Sequence, residues 1–225
     1  FYLISYFYIC HVVIKQTTFL IMALSKANGS NTIYLSVADG NLVRSYKEAN
    51  ANTNQRVTKT GKLVHEEKFK DLTAKLVGAE TKENDFGKQW CLKFQDGEET
   101  YIVNMPYSSR YSASFLKALP NIDLSKNVKF MPWSMVDKND PAKKVTGVTM
   151  YQNDGNGMVK VAPAFTKDAP NGLPEMVKIK VKGKEQWDDS AMAEFLENVA
   201  KECFAKIAAA PSNDEGIEDL EDAPF

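Results

Sequence analysis

Cationic and flat aromatic side chains are interleaved along much of this chain. Lys75, Lys93, Arg110 and Lys129 fall on or beside β-prone runs that also carry Trp90, Tyr107, Trp133 and Tyr151, and Arg44 and Tyr46 form a smaller pair upstream. Cations along a groove neutralise phosphates, and accessible rings stack on unpaired bases, so this combination is the chemistry of a single-stranded nucleic-acid surface. A stacked base contributes roughly 1–3 kcal/mol and each phosphate contact adds salt-sensitive affinity, and neither depends on base identity. Sequence-tolerant binding is the expectation. The residues also have plainer readings. Trp90 shares a strand face with Leu92 and Phe94 and is as well suited to a core as to a platform, whereas Trp133 shares its face with Lys129. Tyr107 and Arg110 sit at a strand-to-helix junction, where binding residues concentrate. Arg44 and Tyr46 suit a flap over DNA or a solvated edge strand equally.

Other chemistries find little material. His11 and His65 are the only histidines, and Cys10, Cys91 and Cys203 are far apart with no CxxC or Cys/His spacing, so no disulfide framework, metal centre or cofactor is expected. Asn153 to Gly157 resembles a calcium loop in composition but lacks the closing Glu, and reads as a hairpin turn. Asp137/Asp140 and Asp188/Asp189 are the only carboxylate pairs that tempt a nuclease reading; the first flanks a turn and the second suits a helix N-terminus. A non-enzymatic binder is the expectation.

Charge is segregated. The formal net charge is −1, yet Gly40 to Lys184 holds 24 Lys and Arg against 16 Asp and Glu. Asp214 to Phe225 holds six acidic residues and no basic one. A basic body points to a polyanion, and the acidic segment has too few apolar groups to recover its ordering entropy, so residues 211–225 read as a disordered tail. Asp219, Glu221, Asp222, Pro224 and Phe225 would then present a ring and carboxylates to partner proteins with a small apolar pocket rimmed by cations. Phe1 to Ile21 is apolar and aromatic but interrupted by His11, Lys15, Gln16, Thr17 and Thr18. It makes a poor signal peptide and a poor span, and reads as non-native upstream sequence before Met22.

The elements that must carry the site follow from periodicity. Ile33–Val37 and Leu42–Tyr46 form a hairpin through Asp39-Gly40, and residues 47–61 read as a loop. Three strands follow, over residues 72–77, 89–94 and 100–105, then an amphipathic helix over 108–119 marked by Tyr111, Phe115 and Leu119. Strands at 128–135, 145–152 and 158–161 complete the body. A mainly β domain with three strands, a helix and further strands suggests the OB-fold, a five-stranded barrel with its helix between strands three and four. We expect it over residues 22–186 with the added N-terminal hairpin. A Pro-, Gly- and Lys-rich stretch, 167–184, should wrap the outside, and residues 187–210 form an amphipathic C-terminal helix.

Several stretches resemble a known family. Gly87-Lys88-Gln89-Trp90, Asn104 to Tyr111, Phe115 to Asn121, Asn171 to Glu175 and Lys182 to Asp189 are similar to bacteriophage-encoded OB-fold single-stranded DNA-binding proteins. Glu221 to Phe225 resembles the acidic Pro-Phe tip of the bacterial counterparts, with Ala223 where a larger aliphatic is usual. The resemblance spans about Asn31 to Phe225. It implies coating of single strands during replication, recombination or repair in the cytoplasm of a bacterial host, with partners recruited through the tip and self-association possible. An RNA-binding chaperone on the same fold is the alternative, and no membrane role is expected.

Overall fold

A two-residue turn starts the architecture: Asp39 and Gly40 take φ of 48° and 77°, the left-handed geometry that lets strand β1 (Thr32–Ala38) reverse directly into β2 (Asn41–Tyr46). The computed structural model describes residues 31–58, 61–85, 87–181 and 183–208. Next come β3 (Asn54–Val57) and β4 (Leu63–Phe69), then the meander β5 (Leu72–Asn84), β6 (Gly87–Asp96) and β7 (Glu99–Pro106). Helix α1 (Arg110–Ala118) is capped by Ser109, whose Oγ accepts from the Ser112 N–H, and a 3-10 turn, Leu119–Asn121, closes it. Strands β8 (Asn127–Val136), β9 (Lys144–Asn153) and β10 (Met158–Lys160) follow, then a separate hairpin of β11 (Val177–Val181) and β12 (Lys184–Asp188), and helix α2 (Ser190–Ala208).

The fold is mainly β, but among the described residues the strands form no closed five-stranded barrel. Ten strands form one open ladder in the order β10-β9-β8-β5-β6-β7-β1-β2-β4-β3. The reason lies at the edge of β7, where β1 adds in parallel register, Ile33 beside Tyr101 and Leu35 beside Val103, and so satisfies backbone groups that barrel closure would use. The N-terminal hairpin is thus an integral strand pair of the sheet. Its turn is tied to α1 and β9: the Gly40 N–H donates to Tyr111 Oη at 2.9 Å, and Lys144 Nζ lies 3.1 Å from Asp39.

Strand alternation sends Leu76, Leu92, Phe94, Val103, Val128, Phe130 and Met150 to the core, where Phe115, Leu116 and Leu119 of α1 and its closing turn meet them. Phe130 packs against both Phe94 and Phe115, with ring centroids 5.8 and 6.1 Å apart. Ser114 Oγ fixes α1 to β9 by accepting from the Val148 N–H at 2.7 Å.

Three boundaries depart from the sequence reading. The expected loop over 47–61 contains β3, which is exposed along its whole length and so carries no hydrophobic period. It is held by its ladder to β4 and by the paired contacts of Arg56 with Glu66. The outer stretch 167–184 ends in the β11–β12 hairpin, and α2 starts at Ser190 because residues 187–188 belong to β12. Residues 1–21 and the tail 211–225 lie outside the described residues.

A Cβ at Gly40 would lie 2.4 Å from the Ser134 backbone nitrogen, in a conformation that already disfavours side chains. Gly40→Val should therefore lower stability by about 2 kcal/mol or more in urea denaturation. Asn41→Ser, on the same turn but away from that contact, should change it by less than about 1 kcal/mol.

Candidate nucleic-acid interface

Cross-strand register decides which of the candidate side chains share a surface, because residues paired across a sheet point to the same side. Lys129 on β8 pairs with Tyr151 on β9, which pairs with Lys160 on β10, and on its other flank Lys129 pairs with Thr73 on β5. Two residues along, Lys75 pairs with Gln95, and beyond a bulge between Leu76 and Gly78 the same face of β6 presents Lys93. Lys93 pairs with Ile102, and Ile102 with Tyr34 of β1. Lys75, Lys93, Lys129, Trp133 and Tyr151 therefore occupy the side of their strands opposite to Val128, Phe130, Leu92 and Phe94, which fill the core.

Trp133 owes its pose to a glycine. It pairs with Gly147, and a Cβ there would lie 2.6 Å from Trp133 Cζ2, so the missing side chain lets the half-buried ring lie down on β9. Beside it opens a groove of about 330 Å³ that also touches Lys117, Thr149 and Lys160. A second groove, of about 540 Å³, crosses β5, β6, β7 and β1 and is lined by Tyr34, Lys82, Gln89, Lys93, Ile102 and Asn104. Tyr34 is 65% exposed, and the sequence reading missed it. Its signal was the alternation with Ile33 and Leu35, which turns an aromatic residue outward. Lys129 Nζ holds Asp71 at 2.9 Å, a half-exposed pair of small net worth that a phosphate can replace. Lys75, Lys93 and Arg110, the first residue of α1, are exposed.

Arg44 and Tyr46 lie elsewhere. They face the same side as Leu42, toward a groove of about 310 Å³ that Arg44 shares with Phe69 and Tyr101, and not the side that carries Lys93. The Arg44 guanidinium sits 4.9 Å over the Tyr46 ring, and Tyr46 Oη donates to Glu67 at 2.7 Å, a bond that raises the phenol pKa.

Trp90 and Tyr107 are corrections. Trp90 is 2% exposed and offers no face to a base. Tyr107 stacks on it, 6.0 Å between centroids and 10° between planes, and donates its hydroxyl to Glu197 of α2 at 2.7 Å. Lys88 Nζ lies 4.1 Å over the Tyr107 ring and 2.6 Å from the same carboxylate, and Lys201 pairs with it at 3.0 Å. These groups latch α2 to the sheet. Burial alone would raise the Glu197 pKa, but hydrogen bonds from Lys88, Tyr107 and Lys201 outweigh it and bring the carboxyl down to about 2. Burial, and then the bond to Glu197, push the Tyr107 phenol well up.

The acidic pairs are occupied by turns and caps. Asp188 Oδ1 accepts from both the N–H and the hydroxyl of Ser190, Asp137 accepts from the Asn139 N–H, and Asp140 holds Lys143 at 2.8 Å. Among the described residues no group of three or more His, Cys, Asp or Glu is placed to hold a metal ion, and no helix is long and apolar enough to cross a membrane. The partner-binding candidates Asp219, Glu221, Asp222, Pro224 and Phe225 lie outside the described residues. No family model, curated protein or solved structure matches the chain.

The Glu197 latch has a pH signature. A carboxyl whose folded pKa is lowered stabilises the fold fully above its ordinary value of 4.5, and that contribution fades as pH falls from there toward about 2. Glu197→Gln should lower stability at neutral pH by about 2 kcal/mol and flatten this acid limb, read by urea midpoints across pH 2–7. Tyr107→Phe should cost about 1 kcal/mol, leaving most of the limb in place.

Proposed function

We propose that this chain is a non-enzymatic, sequence-tolerant single-stranded DNA-binding protein built on an OB-fold topology. Support for the topology comes from connectivity: β5, β6 and β7 form a meander, α1 follows, and β8 returns to pair with β5 before β9 pairs with β8. That is the strand order of an OB-fold up to its final closure, and here β1 occupies the closing edge. The observation that carries the function is that Lys93, Lys129, Trp133, Tyr151 and Lys160, cations and rings, all take the side of their strands opposite to the core. Oligonucleotide-binding barrels use this kind of sheet face, with bases on rings and phosphates on cations. In this reading the protein coats single strands during replication, recombination or repair in a bacterial host cell. The acidic segment containing Asp219, Glu221 and Asp222, with Pro224 and Phe225, recruits other proteins and competes weakly for the cationic face.

The test is a titration with oligo(dT), a duplex of equal length and oligo(rU) at moderate salt. The proposal expects oligo(dT) to bind at least tenfold more tightly than duplex and no more weakly than oligo(rU). Preference for duplex, or no binding, contradicts it, and a strong preference for oligo(rU) transfers the surface to RNA. Lys93→Ala with Lys129→Ala should reduce the slope of log affinity against log salt by about 1.4, at roughly 0.7 per phosphate contact. Trp133→Ala should weaken binding about tenfold.

A further inference from the structure

The hairpin of β11 and β12 stands apart from everything described so far. Its strands pair only with each other among the described residues. A lone two-stranded ribbon is marginal in water, so its side chains are not recruited by any sheet-wide core. Register sorts them into two faces. Lys178 is opposite Trp187 and Lys180 opposite Glu185, all on one side; Val177, Ile179 and Val181 alternate to the other. Trp187 is 61% exposed, against 2% for Trp90, and is the most accessible of the three tryptophans. The Lys178 ammonium lies 5.3 Å from its ring centre and 3.7 Å from Glu185.

An indole held open beside two lysines repeats, on a second element, the pairing of ring and cation found on the main sheet. The segment Val177–Asp188 carries four Lys against Glu185 and Asp188, and Asp188 is already engaged with Ser190. The exposed Lys178–Glu185 pair is of small net worth and yields readily to a phosphate. We propose that the β11–β12 hairpin is a second single-strand contact, in which Trp187 stacks on a base while Lys178 and Lys180 neutralise the flanking phosphates. The occupant is a single-stranded nucleic acid, chosen over a protein strand by the charge and by the ring's open face. A protein partner would instead use Val177, Ile179 and Val181. This inference rests on the function proposed above and adds a site to it that the barrel-like body does not contain.

The full-length protein, three variants and a fluorescein-labelled oligo(dT) 30-mer provide the test, with affinity measured by anisotropy over a range of salt. Trp187→Ala should weaken binding roughly tenfold, while Trp187→Phe, which keeps a stacking ring, should recover most of that loss. Lys178→Ala with Lys180→Ala should reduce the salt slope by about 1.4, as for two lost single-strand phosphate contacts. The alanine variant should also show clearly less tryptophan quenching by oligo(dT) than the parent, the remainder coming from Trp133. If the parent binds oligo(dT) and these variants keep its affinity, slope and quenching, the hairpin contact is wrong and the main-face reading stands. Loss of affinity equal in Trp187→Ala and Trp187→Phe, with an unchanged slope in the lysine variant, would mark a folding effect and also overturn it. A parent that ignores oligo(dT) removes both.

Discussion

Everything in this molecule depends on strand alternation being kept in register across β9, β8, β5, β6 and β7. A slip of one residue would carry Phe130 and Phe94 to solvent and Lys129 and Lys93 into the core, so the packing of Phe94, Phe115 and Phe130 is also what holds the cations and rings outward. Core and surface are two readings of one pattern. Fixing the core therefore presets the spacing of the cations and rings on the other side, and under the proposed function a strand binding there need order little beyond its own backbone and a few side chains.

Two devices secure that sheet at its open margins. The first hairpin adds to β7 and places Gly40 against Ser134 and Tyr111, so the ladder curls without a closing bond between β7 and β9. On the other side, Glu197 gathers Lys88, Tyr107 and Lys201 and holds α2 down. Both devices use polar contacts with strict geometry, and both spend residues that resemble ligand-binding groups when seen in one dimension.

Much of the fold could be read from the sequence because the meander and the β8–β9 pair have clean period-two patterns, and because Asp39-Gly40 and Ser109 are strong local signals. The barrel did not follow. Whether β9 or β1 completes the edge of β7 depends on a parallel pairing between segments more than sixty residues apart, for which local periodicity carries no information. Strand β3 was hidden because all four of its residues are exposed. Lys75, Lys93, Lys129, Trp133 and Tyr151 each take the side of their strand opposite to the core, as alternation implies, but they line separate grooves: Lys75 with Cys203 and Lys206, Lys93 with Tyr34, and Trp133 with Lys117 and Lys160. Trp90 and Tyr107 are not part of that side, because composition cannot reveal that α2 folds back over that end of the sheet. Trp187 escapes notice for another reason: the sequence reading starts the C-terminal helix at residue 187, and only the cross-strand pairing with Lys178 makes it part of a face.

The central claim is that single strands lie across the face bearing Lys93, Trp133 and Tyr151. Photo-crosslinking of an oligo(dT) substituted with 5-iodouracil, followed by mapping of the modified peptides, tests it most directly. The account predicts adducts on Trp133, Tyr151 and Tyr34, suppressed by excess unlabelled oligo(dT) and not by duplex. Adducts confined to Phe69, Tyr101 and Tyr46 on the opposite side, or none that oligo(dT) suppresses, would contradict it.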